Sequence, residues 1–224
     1  MQLEVLIREC GIIGIVASLG VLVADLFIYG RSDSFESLPP LKRAAGLPLW
    51  RLNTGNALGI GLIPFVALGF VPLFYALLPS GFFMAFIVTG LFVYFFGMGP
   101  GAHASTVDHY LLHRAREKYS INSPETNALD SVISEQGKIY DVLVWLVRVP
   151  LLLGSLVYSV LVLMGNTCLP VWMAIINPFV LIGFAISSER WMPSTIAGYL
   201  YPIKVYVGII PLQLLTLIYM WNGM

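Results

Sequence analysis

The chain has 224 residues, of which 58% are hydrophobic and only 11% charged, and its basic and acidic residues cancel in number. A water-soluble domain carries about 25% charged residues. A soluble core of this size cannot hide so much apolar surface, so composition excludes an ordinary soluble domain and points to lipid as the solvent. Zero net charge argues against nucleic acid as a partner.

In chain order, six apolar segments have the length of about 20 residues needed to cross a bilayer. The opening MQLEVLIREC lacks a basic leader, and its apolar run continues to about residue 29 without a clear cleavage site, so it reads as a first spanning helix rather than a removed signal peptide. The second segment, roughly 52–78, opens with RLNTGNALGIG, and the third begins near 81 with GFFMAFIVTGLFVYFFGM. The fourth covers roughly 140–164, the fifth 169–187 and the sixth 198–221. Asn177-Pro178 and Pro211 predict kinks in the fifth and sixth. The expected fold is all-α: a polytopic transmembrane bundle of six spanning helices in one integral membrane domain, 1–224.

The connections alternate. PSG and GNTCLP are short, whereas the loops at about 30–51, 115–139 and 188–197 are longer and charged. Nearly every Lys and Arg lies in or beside those three loops, with only Arg8 on the other side. The positive-inside rule makes them cytoplasmic and puts both termini on the opposite, non-cytoplasmic side. Within 115–139, Ser123 followed by Pro124 predicts an N-cap and the first residue of a short surface helix feeding the fourth segment. LPPLKRAAGLPLW suits a loop lying on headgroups, and the five tryptophans fall mostly near segment ends, where indole anchors. Cys10 and Cys168 both fall toward the non-cytoplasmic side, which leaves a disulfide and two free thiols both open.

The stretch GMGPGAHASTVDHYLLHR, 97–114, combines a Gly-Pro-Gly break with all three histidines. Residues 81–98 make about 27 Å of helix at 1.5 Å per residue, so the break falls in the cytoplasmic third or at that interface. Breaks at membrane depth persist only where protein or water satisfies the freed backbone groups, which predicts a small hydrated cavity. A fresh helix then starts near Ala102.

Depth brings other polar groups to the same level. Asp25 lies one turn before the end of the first helix, Asn56 in the first turns of the second, Arg148 in the fourth, and Tyr201 and Lys204 at the start of the sixth. Intramembrane ionisable groups face a bundle interior, paired or wet. The expectation is a polar pocket at the cytoplasmic mouth, closed on the far side.

Within it, Asp25 and His103 form a candidate acid–base or anchoring pair, or equally a structural clamp between helices. Asp108, His109, Asn56, Lys204, Tyr201 and Arg148 are candidate ligand contacts. His109 and His113 share a helix face at a spacing able to bind metal, or serve as interfacial hydrogen-bonding residues. No Glu follows His109 as in metalloprotease helices, and no cofactor is expected: the histidines occupy one stretch, which disfavours haem, and GMGPG lacks a phosphate loop's Lys-Ser/Thr. A serine triad using Ser105, Ser187 or Ser188 lacks a G-x-S-x-G elbow.

VADLFIYG, GIGLIPFVALGFVPLFYALLPSG, GAHAS and YLYP together resemble an uncharacterised group of small bacterial six-helix membrane proteins that share such an Asp…Tyr-Gly, a Gly/Pro-rich second helix and a His-Ala-Ser. The resemblance covers most of the chain and implies a bacterial inner-membrane protein. It sets Asp25, His103, Tyr201 and Pro202 as corresponding positions and carries no activity. The expected function is a site that binds, and chemically alters or merely holds, a small amphipathic or lipid-like molecule from the cytoplasmic leaflet. Membrane lipids are the expected surroundings. The alternatives are an accessory subunit packed against other membrane proteins or further copies of itself, and a small transporter or proton pathway.

Overall fold

The structure is a computed structural model that describes residues 2–29, 47–120, 123–188 and 191–223, with backbone alone at 102, 106, 194–202 and 223. Its elements are α1 (Gln2–Tyr29), α2 (Leu49–Val66), a 3-10 turn (Ala67–Phe70), α3 (Val71–Leu77), a second 3-10 turn (Leu78–Ser80), α4 (Phe82–Gly97), α5 (Gly99–Arg116), α6 (Pro124–Leu163), a third 3-10 turn (Val171–Ile175), α7 (Pro178–Ser188) and α8 (Ser194–Gly223). Among the described residues there is no strand. Large apolar side chains such as Val16, Phe86 and Phe184 point outward, and five helices are long and apolar enough to cross a membrane: Gln2–Tyr29, Leu49–Ser80, Phe82–Arg116, Pro124–Leu163 and Ile203–Asn222.

The fifth expected span differs. Residues 171–188 hold a 3-10 turn and an 11-residue helix rather than one spanning helix. The cause is local chemistry. Ile176 leaves the helical region at φ −87, ψ 64, and the Asn177 side-chain oxygen accepts from the Val180 N–H at 2.9 Å. Asn177-Pro178 is therefore an N-cap with proline behind it, not a mid-helix kink. The segment nevertheless connects two levels: the Cys168 N–H donates to Ala76 O, beside the end of α3, while Ser188 leads to the start of α8.

The Gly-Pro-Gly break is milder than the sequence suggests. Met98 keeps helical angles, φ −84 and ψ −13, and α5 restarts at Gly99 rather than near Ala102. The helix pair α4–α5 and α6 form one antiparallel hairpin in a single register, with Gly154 against Leu91 and Phe92, Gln136 within hydrogen-bonding reach of His109, and Arg116 paired with Asp130. The separate surface helix expected at 123–138 is instead the first part of the 40-residue α6, whose Ser123 N-cap accepts from the Thr126 N–H at 3.2 Å. Forty residues make about 60 Å of helix, so α6 overshoots a bilayer core by about half its length. Both cysteines are free.

α1 runs antiparallel to α8. Arg8 lies over the Trp221 ring at 4.2 Å, Ser18 donates to Gln213 at 2.8 Å, and Asp25 meets Tyr206. It is also antiparallel to α2 and α3, most closely where a Cβ on Gly14 would overlap the Gly69 backbone. The core is a continuous apolar layer including Val21, Val66, Phe70, Phe92, Tyr158 and Leu212. Toward the basic loops, Arg51 donates through Nε to Phe27 O and through Nη2 to Leu26 O, each at 2.8 Å, capping the last carbonyls of α1.

Candidate functional site

Four helices converge where the hairpin meets α1. His103 is buried on the second turn of α5, and its ring lies flat against Gly59 of α2: a Cβ there would stand 2.5 Å from Nδ1. Glycine is thus required at 59 by close approach. On the other edge of the ring, Nε2 is 3.3 Å from Oδ1 of Asp25, with the two side chains 7% and 14% exposed. The buried hydroxyl of Tyr206, on α8, hydrogen-bonds the same carboxylate. Nε2 is the ring nitrogen that faces Asp25, and Nδ1 is the one that faces Gly59.

The Nε2 contact is close in distance but poorly aligned, so Oδ1 of Asp25 has no hydrogen bond and neither has Nδ1 of His103. Asn56, one turn from Gly59 on α2, likewise has a buried Oδ1 without a partner. Three buried polar atoms thus stand without a hydrogen bond at one helix junction, and each is costly to leave unpaired. Chemically the arrangement can orient a hydroxyl or amine, or pass a proton between carboxylate and imidazole.

A family profile spans residues 1–222 of the chain. The protein belongs to DUF6796, a family of unknown function. No curated protein and no solved structure matches it. The DUF6796 description carries no activity, so none is transferred.

In this DUF6796 member the structure brings Asp25 and His103 together and leaves other candidates elsewhere. Asp108 and Arg148 are both exposed rather than buried at the junction. His109 is buried, but farther along the hairpin, beside Gln136 and with its ring centroid 5.6 Å from that of His113. No group of three or more metal-ligating side chains occurs among the described residues. Lys204 is half-buried, and the side chain of Tyr201 lies outside the described residues. Ser187 and Ser188 turn back onto the carbonyls of Gly183 and Ala185.

Tyr206 escaped the sequence reading. Its signal was present, since Tyr206 and Lys204 share the same apolar helix, but only the pairing of α1 with α8 shows that Tyr206 is the residue facing Asp25. Ser18 and Gln213 were also passed over. Both are fully buried near mid-bundle, where Gln213 accepts from Ser18 at 2.8 Å and donates to Val66 O at 3.2 Å.

Proposed function

We propose that this protein is an integral membrane protein of a bacterial inner membrane whose Asp25–His103–Tyr206 junction holds the polar end of a small amphipathic or lipid-like molecule entering from the cytoplasmic leaflet. In this reading the chain crosses the bilayer six times, with residues 171–188 supplying a broken crossing. The passage of that segment from the level of Ala76 to the start of α8 supports the count. The basic loops are cytoplasmic and both termini face away.

One observation carries the reading: a buried carboxyl–imidazole contact between α1 and α5 with an unpartnered polar atom on each residue. The junction lies about 10 Å from the mid-bundle Ser18–Gln213 bridge, seven residues along both α1 and α8 at 1.5 Å per residue. That is a depth a lipid head reaches by a small inward step while its chains stay in the bilayer. Asn56 and Lys204 are supporting contacts. The Asp25–His103 pair orients the head, and it also serves as a proton acceptor for a ligand hydroxyl should the bound molecule be altered.

Mass spectrometry of the protein extracted in mild detergent tests this. A bound lipid-like species is expected with the wild type and with Ser159→Ala, and is lost with Asp25→Asn or His103→Ala. A co-purifying protein partner that survives both substitutions, with no small molecule bound, would replace this reading with the accessory-subunit alternative.

A further inference from the structure

Helix α6 carries an arginine where its surroundings are apolar. Arg148 is exposed, and so are large apolar side chains on both sides of it along the helix: Ile139, Val142 and Trp145 toward the basic loops, and Val149, Leu153 and Leu163 toward the outer end. α6 is one of the five helices long and apolar enough to cross a membrane. The exposed apolar band over 139–163 makes about 36 Å of helix at 1.5 Å per residue, a little more than a bilayer core of about 30 Å. The basic-loop edge of that core therefore falls near residue 141, and the Cα of Arg148 lies about 10 Å inside it. A guanidinium at that depth is costly unless it reaches water or an anion.

α6 starts on the basic-loop side at Pro124, and side chains on a helix lean toward its N-terminus. Arg148 therefore snorkels toward the headgroups, which carries its charge to about one turn short of Asp141. Asp141 is exposed and seven residues earlier, only about 20° from Arg148 around the helix axis, so the two lie on one face. Trp145, 64% exposed, stands between them in height. Deeper than Arg148, the same side continues as half-buried Leu152 and exposed Leu156. From the headgroup edge inward, this flank of α6 thus presents an acid, an indole, a base and apolar surface.

That order complements a zwitterionic phospholipid, which carries its ammonium outermost, its phosphate next and its chains inside. We propose that this flank of α6 binds one phospholipid with a primary-ammonium head, drawn from the leaflet on the basic-loop side. Arg148 donates to the phosphate oxygens, Asp141 accepts from the ammonium, and the acyl chains lie along Leu152 and Leu156. A guanidinium suits phosphate because several N–H groups in one plane donate together. The acid supplies selectivity. A phosphate head without an ammonium brings only like charge toward Asp141, and a quaternary ammonium has no N–H to donate. The lipid site depends on α6 crossing the bilayer and not on the Asp25–His103 junction.

Native mass spectrometry of the full chain in mild detergent tests the site, with phosphatidylethanolamine, phosphatidylglycerol and diacylglycerol of identical chains offered in equal amounts. The wild type is expected to retain one phosphatidylethanolamine about threefold over phosphatidylglycerol, within the worth of one exposed ion pair, and to hold diacylglycerol least. Asp141→Asn should equalise the two phospholipids while both stay above diacylglycerol. Arg148→Gln should bring both down to the diacylglycerol level, and Arg148→Lys should restore them in part. Both residues are exposed, so these variants should fold as the wild type does, and Asp141→Asn carries the test by itself should Arg148→Gln not. Asp25→Asn should leave this phospholipid bound while releasing the ligand of the junction, and Arg148→Gln should do the reverse. Equal retention of all three lipids by the wild type, or a pattern that neither Arg148→Gln nor Asp141→Asn changes, overturns the site. Loss of phosphatidylethanolamine in Asp25→Asn with the Arg148 variants unaffected also overturns it, by placing the phospholipid at the junction.

Discussion

Ser18 and Gln213, 195 positions apart, share a hydrogen bond of 2.8 Å in the fully buried middle of the bundle. The same carboxamide donates to Val66 O, so one side chain ties α1, α2 and α8. It fits because a Cβ on Gly69 would stand 2.7 Å from its Cδ. Interhelical hydrogen bonds in membranes average about 0.6 kcal/mol, and leaving buried groups unpaired adds to the loss. Gln213→Leu should therefore cost about 1–2 kcal/mol and Ser18→Ala about 0.5–1 kcal/mol, with the double variant less than the sum. Detergent-denaturation curves of the four proteins check the cycle.

Gly59 and Gly61 lie two residues apart on α2 and should respond oppositely. A methyl at 59 collides with the imidazole of His103, whereas a Cβ at 61 meets nothing within 4 Å. Gly59→Ala should destabilise by about 1–3 kcal/mol through overpacking and release the bound species. Gly61→Ala should be neutral or stabilise by up to about 1 kcal/mol, since alanine is the better helix former. Thermal unfolding of the pair in one detergent decides, and equal behaviour of both would remove Gly59 from the site.

Tyr206 donates to Asp25 from the opposite helix to His103. Tyr206→Phe leaves that carboxylate with one partner fewer, an expected cost of about 1–2 kcal/mol. In an Asp25→Leu background the same substitution should cost close to nothing. A coupling of about 1 kcal/mol in that double-mutant cycle is the expected result; a zero coupling would show that the hydroxyl serves another partner.

Arg51 holds the last turn of α1 by its two hydrogen bonds to Leu26 O and Phe27 O, and the neighbouring Trp50 ring packs edge-on against Phe27. Arg51→Met keeps most of the apolar stem and loses both bonds, with an expected cost of about 1 kcal/mol. Hydrogen exchange should quicken at the amides of residues 26–29, with little change near Ser18.

Much of this was legible in the residues. Long apolar runs dictate helices in lipid because every backbone group must bond within its own segment. Depth arithmetic at 1.5 Å per residue set Asp25 and His103 at one level, since rise along a helix depends on residue count alone. Sequence reading overestimated the Gly-Pro-Gly break and the fifth helix for the same reason. Propensity says where a ladder can be interrupted, but packing decides whether it is: α6 holds α5 in register past Pro100, while the Asn177 side chain captures the backbone and ends the 3-10 turn. Azimuth was the other gap. Which side of a helix faces which neighbour depends on every other helix, so only the assembled bundle could turn Asp108 and Arg148 outward, seat His103 on Gly59 and choose Tyr206 to face Asp25.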